Sequence, residues 1–100
     1  MKGPDTMYNI NKHEDIIPLQ NGKLPTELSE IFRQISSNIL CGEVTPIACY
    51  KKEINETETL FRIECKYYIE SDNRGSCVFK IKKKNKEYKL VDYKEVKDVE

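Results

Sequence analysis

Residues 25–42 read PTELSEIFRQISSNILCG, and this stretch decides the fold because it has a clear helical period. Pro25 and Thr26 supply a helix start, with Thr26 as the capping residue, and Glu27 and Glu30 carry negative charge where the helix dipole favours it. Gly42 predicts a left-handed cap, so we expect the helix to end near residues 41–42. The apolar side chains recur at spacings of three and four and form one stripe: Leu28, Ile31, Phe32, Ile35, Ile39 and Leu40.

The hydrophobic period changes to two after Pro46. Apolar side chains alternate with charged ones through residues 61–70 and 77–82, and turn-forming or charged residues interrupt the runs at 55–58, 71–75 and 83–86. Short connections predict an antiparallel meander with one apolar face, which the helix must cover. The expected fold class is α+β, a single helix packed on a four-stranded antiparallel sheet.

The domain boundary is expected at residue 24. Residues 1–23 are polar and hold Gly and Pro, so they predict a partly irregular arm, in which residues 16–19 have the composition of a short strand. Residues 24–100 then form the helix and sheet domain. The 100 residues suffice for one domain.

Charge and hydropathy limit the partners that we expect. The chain has 17 Lys and Arg and 17 Asp and Glu residues, so no net charge attracts nucleic acid or a membrane. No apolar run reaches the roughly 20 residues that span a bilayer. We therefore expect neither nucleic acid nor membrane as a partner. Location stays open: cytoplasmic if Met1 is native, secreted if the sequence is a mature form.

The residues that could perform catalysis lack the necessary context. His13 lies in the polar arm, and Cys49, Cys65 and Cys77 fall on the apolar face of the predicted sheet, where buried thiols are inert. No glycine-rich phosphate loop and no C-x-x-C spacing occurs, and there is only one histidine. We expect no enzyme, no cofactor and no metal site.

The cysteines leave two alternatives open. Four cysteines are an even number, which fits two disulfides, but cysteine is also a common buried core residue with a free thiol. A tight connection at residues 55–58 would bring Cys49 and Cys65 close to opposite each other on the apolar face, near enough for contact.

A lysine run lies near the C-terminal end of the chain. It could form a basic face that binds an anionic partner, or a solvated hairpin whose lysines discourage strand pairing between molecules. The candidate anion-binding residues are Lys80, Lys82, Lys84 and Lys86.

Over residues 24–97 the chain resembles the cystatin family of papain-like cysteine protease inhibitors. The similar stretches are residues 26–31 of the helix, residues 49–52 and 60–63 on both sides of the first hairpin loop, and residues 78–81 and 89–93 in the last two strands. The family inserts a wedge made of an N-terminal arm, a first hairpin loop of pattern Q-x-V-x-G and a second hairpin loop.

The resemblance implies an inhibitor with diverged loops. The protease-binding candidates are Glu53, Ile54, Asn55, Glu56 and Thr57 in the first loop, and Lys83, Lys84 and Asn85 in the second. The implied partner is a papain-like cysteine protease. The alternative function is a non-inhibitory binding module of the same fold for a protein or anionic partner.

Overall fold

The chain folds into one helix and five strands over residues 14–70 and 73–97, the ranges that this computed structural model describes. The strands pair in chain order and every pair is antiparallel. The predicted α+β class with one helix and an antiparallel sheet is confirmed, but the predicted number of four strands is wrong. The elements are β1 (Asp15–Ile16), α1 (Thr26–Ser37), β2 (Glu43–Glu53), β3 (Glu58–Glu70), β4 (Asn73–Lys84) and β5 (Glu87–Lys97).

The fifth strand is β1, in the apolar part of the arm. Asp15 lies opposite Lys51, Ile16 lies opposite Tyr50, and the backbone N–H of the next residue donates to the Cys49 carbonyl at 2.9 Å. Pro18 follows and has no N–H to continue the ladder. The strand is therefore short, and it covers only part of the β2 edge.

The apolar stripe of α1 packs on the sheet as predicted at its centre. Leu28 and Phe32 are buried, and Ile31 and Ile35 are half-buried against the core. The ring of Phe32 meets that of Phe79 edge to face, with 5.1 Å between centroids. This face of the helix closes the core.

Both predicted helix ends need correction. Pro25 occupies the N-cap position without a side-chain bond, and Thr26 is the first helical residue. The helix ends at Ser37, so Ile39 lies outside it and is 36% exposed rather than buried. Gly42 is no left-handed cap: a Cβ there would lie 2.7 Å from the Tyr68 carbonyl oxygen, so glycine permits close approach to β3.

The core contains three cysteines on the helix-facing side of the sheet. Cys49, Cys65 and Cys77 are buried, as expected, and all four cysteines are free thiols. Cys49 and Cys65, which we expected close to opposite each other, are diagonal neighbours on adjacent strands. Cys49 lies opposite Ile63, whereas Cys65 lies opposite Cys77. The cause is the register of the first hairpin: Glu53 pairs with Thr59, whereas direct opposition of Cys49 and Cys65 would require Glu53 to pair with Phe61.

Candidate functional site

One end of the sheet gathers three segments: the start of β1, the loop after β2 and the turn after β4. The start of β1 belongs there because Asp15 pairs with Lys51, close to the end of β2. The backbone N–H of Asn85 donates to the carbonyl of Thr57 at 3.0 Å, which holds the two loops side by side. We call residues 53–57 and 84–86 the hairpin edge. The structure thus brings together both loops that the sequence singled out.

The first loop of the hairpin edge is organised by Asn55. Its Oδ1 accepts the backbone N–H groups of Thr57 and Glu58, each at 2.9 Å, and the Thr57 hydroxyl at 3.2 Å. The N–H of Ile54 donates to the Glu58 carbonyl at 3.0 Å and closes the hairpin. An Asn side chain that bonds residues two and three positions ahead is a common way to build a turn without glycine.

The exposed groups of the first loop are two carboxylates and one aliphatic side chain. Glu53 and Glu56 are exposed and form no salt bridge with a described residue. Ile54 is 37% exposed at the loop's apolar point. A partner at this loop would meet negative charge around a small apolar contact.

The second loop has a different charge. Asn85 adopts a left-handed conformation with φ of 58°, which Asn tolerates better than most residues. Lys84 lies 3.7 Å from the Glu58 carboxylate, and Lys86 is exposed in the turn. The hairpin edge therefore presents acidic groups on one loop and cationic groups on the other.

Lys83 belongs to a cluster that sequence reasoning did not find. It lies 3.3 Å from Glu27 at the start of α1, and the Tyr88 hydroxyl donates a hydrogen bond to the same carboxylate. These contacts lower the pKa of Glu27, with the Tyr88 hydrogen bond as the main cause. Lys83 thus faces the helix, away from the other predicted loop residues. It ties the start of the helix to the second hairpin.

Arg62 forms a second cluster that was missed, on the outer face of the sheet. Its guanidinium binds both carboxylate oxygens of Glu14 at 2.8 and 3.0 Å, contacts Glu64, and lies 4.1 Å from the ring centre of Tyr50. The hydrogen bond lowers the pKa of Glu14. This cluster holds the chain at Glu14 beside the start of β1. Pairs separated by 48 residues leave no local sequence signal.

Three of the four predicted anion-binding lysines form a row on the outer face of the sheet, and the carboxylate of Glu58 compensates part of their charge. Lys80, Lys82 and Lys84 alternate along β4 and so share the outer face, while Lys86 lies in the turn. Lys82 lies directly opposite Lys89 of β5, and its ammonium group is 3.7 Å from Glu58. Two like charges face each other there.

Among residues 14–70 and 73–97, no group of three or more His, Cys, Asp or Glu side chains could hold a metal ion, and α1 is too short and polar to cross a membrane. His13 lies outside the described residues. Comparison of the chain with protein-family models, with curated proteins and with solved structures finds no match.

Proposed function

We propose that this chain is a cystatin-type protein that binds papain-like cysteine proteases through the hairpin edge. The observation that carries the proposal is the hydrogen bond from Asn85 to Thr57, which keeps the two loops in one row. A wedge needs several segments at one end of a rigid sheet, because separate mobile loops would lose entropy on entering a cleft. The start of β1 lies at the same end and supplies the third segment.

The chemistry of the loops determines how such binding would work. Ile54 is the apolar group that a protease cleft could bury, and buried apolar anchors supply most of the affinity at interfaces. Glu53 and Glu56 would lose water on entry and need cationic groups on the protease. We therefore expect weaker inhibition than a loop of small uncharged residues would give, and a preference for proteases with a basic cleft rim.

An inhibition assay with papain tests the proposal. Hydrolysis of a fluorogenic peptide is measured against increasing concentrations of the full chain, and we expect reversible, saturable inhibition. The Ile54→Ala variant should raise the inhibition constant about tenfold, which corresponds to roughly 1.4 kcal/mol. Absence of inhibition at any concentration of the folded protein would contradict the proposal for this protease class.

Ile47→Ala is the matched control. Ile47 is 50% exposed at the bulge of β2, seven positions from Ile54 and so about 20 Å along the strand from the hairpin edge. The inhibition constant of the Ile47→Ala variant should stay within twofold of that of the unaltered chain. Equal losses in both variants would show that the binding surface lies elsewhere.

A second candidate function is binding of an anionic partner on the outer face of β4 and β5. The observation that favours it is the direct opposition of Lys82 and Lys89, where an anion would relieve repulsion. Retention on a heparin column should fall steeply with salt and should be reduced in the Lys82→Ala and Lys89→Ala variants. Lys23→Ala is the control, because Lys23 is exposed beside the helix start. Equal retention of all variants would reject this candidate.

A further inference from the structure

Cys65 and Cys77 are the one pair among the four cysteines that the strand register places directly opposite each other. Both lie on the helix-facing side and are essentially inaccessible, with 0% and 2% exposure. Opposite residues of antiparallel strands have Cα atoms about 4.5–5.5 Å apart, and disulfides need about 4.4–6.8 Å. The sheet therefore already holds these two residues at a separation that a disulfide accepts.

The other cysteines are placed less well for a bond. Cys49 lies opposite Ile63 and is thus a diagonal neighbour of Cys65, a relation that separates Cα atoms by about 7–8 Å. Cys41 is exposed in the segment between α1 and β2. The thiols of Cys65 and Cys77 interact with each other, and this contact with burial raises the pKa of Cys65. Direct opposition in the strand register and the contact between the thiols therefore distinguish the Cys65–Cys77 pair from the other cysteine pairs.

We propose that Cys65 and Cys77 form a reversible cross-strand disulfide on the core side of the sheet when the protein meets a small disulfide oxidant such as oxidised glutathione. Because both thiols are buried, the oxidant reaches them only when this part of the fold opens locally. One cysteine thiolate then attacks the oxidant, which forms a mixed disulfide and releases one glutathione thiolate. The second cysteine thiolate then attacks the protein sulfur of the mixed disulfide and releases the second glutathione. The two protons from the cysteines end on the two glutathiones, which are reduced as the protein is oxidised.

The bond would stabilise the end of the sheet that lies away from the hairpin edge. It closes a loop of about a dozen residues around the β3–β4 connection, which restricts the unfolded chain. The hairpin edge is at the opposite end of β3 and β4, so its loops keep their positions. Oxidation should therefore change stability and leave protease or heparin binding unaltered. This inference does not depend on the proposed function.

Disulfide mapping of the oxidised full chain tests the proposal. The reduced protein is incubated with oxidised glutathione, the remaining free thiols are blocked after unfolding, and the unreduced digest is analysed by mass spectrometry. We expect one linked peptide pair that contains Cys65 and Cys77, with Cys41 and Cys49 in no link between two peptides, and loss of the link on reduction. A Cys49–Cys65 link would overturn the proposal. So would a folded chain without a link when the urea-unfolded chain, under the same oxidant, forms one.

Two variants complete the test. A Cys41→Ser, Cys49→Ala double variant keeps the proposed pair, and oxidation should raise its melting temperature by about 10 °C or more. In Cys77→Ala the oxidant should leave the melting temperature unchanged. If Cys77→Ala does not fold, mapping of the double variant still decides. A lower melting temperature of the linked double variant would show that the native sheet does not accommodate the bond.

Discussion

Replacement of Phe32 with alanine tests how much of the fold depends on the helix face. Phe32 is 5% exposed, and its ring packs edge to face on Phe79 at a centroid distance of 5.1 Å. Truncation of a buried Phe removes its transfer free energy and leaves a cavity, which costs about 3–5 kcal/mol. Domains of this size have about 5–15 kcal/mol of stability, so this loss is a large fraction of the total and the variant should be much less stable.

Urea unfolding followed by circular dichroism measures this loss. Phe32→Leu keeps an apolar side chain and should cost about 1 kcal/mol, which keeps the test valid if the alanine variant is unfolded. Ile39→Ala is the control from the same sequence stripe, and it should cost less than about 1 kcal/mol because Ile39 is 36% exposed. A cost below about 1 kcal/mol for Phe32→Ala, or equal costs at both positions, would refute the packing of the helix on the sheet.

Three further predictions concern the loop and the ionisable groups. Asn55→Ala should lose about 1–2 kcal/mol and speed amide exchange at Thr57 and Glu58, whereas Asn55→Asp keeps the acceptor and should behave like the unaltered chain. Burial raises the pKa of Cys49 from its usual 9.0 to about 11. The free energy of unfolding should therefore fall as the pH rises from about 9 to about 11, and it should fall less in the Cys49→Ala variant. Equal pH profiles of the two proteins would contradict this prediction. The lowered pKa of Glu27 means that its carboxylate stabilises the fold at pH values above its usual pKa of 4.5 and that this stabilisation is lost in acid. The Glu27→Gln variant should therefore lose less stability than the unaltered chain as the pH falls. An equal loss in both proteins would argue against the Tyr88 contact.

The local elements could be predicted from the sequence because their signals are short-range. The helix stripe placed Leu28 and Phe32 in the core, and the period of two placed Ile63, Phe79 and Ile81 there as well. Burial of one face requires that periodicity, so it is written directly in the residue order. The helix ends and β1 were harder to predict from the sequence, because each involves only a few residues and so leaves little hydrophobic periodicity.

Register and side-chain pairing could not be derived in the same way. The position of Cys65 opposite Cys77 depends on where each hairpin closes, and a change of one residue pair alters every cross-strand neighbour. The contacts of Glu27 with Lys83 and Tyr88 join residues more than 50 positions apart. The hairpin edge was predictable as two separate loops, but the hydrogen bond that holds Asn85 against Thr57 requires the folded sheet.

The central claim, that the hairpin edge is a protease-binding wedge with diverged side chains, is tested most directly by replacing the first loop. Substitution of residues 53–57 by Gln-Val-Val-Ala-Gly removes two carboxylates and restores a glycine, while Glu53→Gln with Glu56→Ala alone removes only the charge. Melting curves first establish that both variants fold, because the full replacement removes the Asn55 side chain that organises the loop. The inhibition constant for papain is then measured for both variants and the unaltered chain. We predict that it falls at least tenfold with the full replacement and by a smaller factor with the charge removal; a folded replacement variant with no gain would contradict the claim.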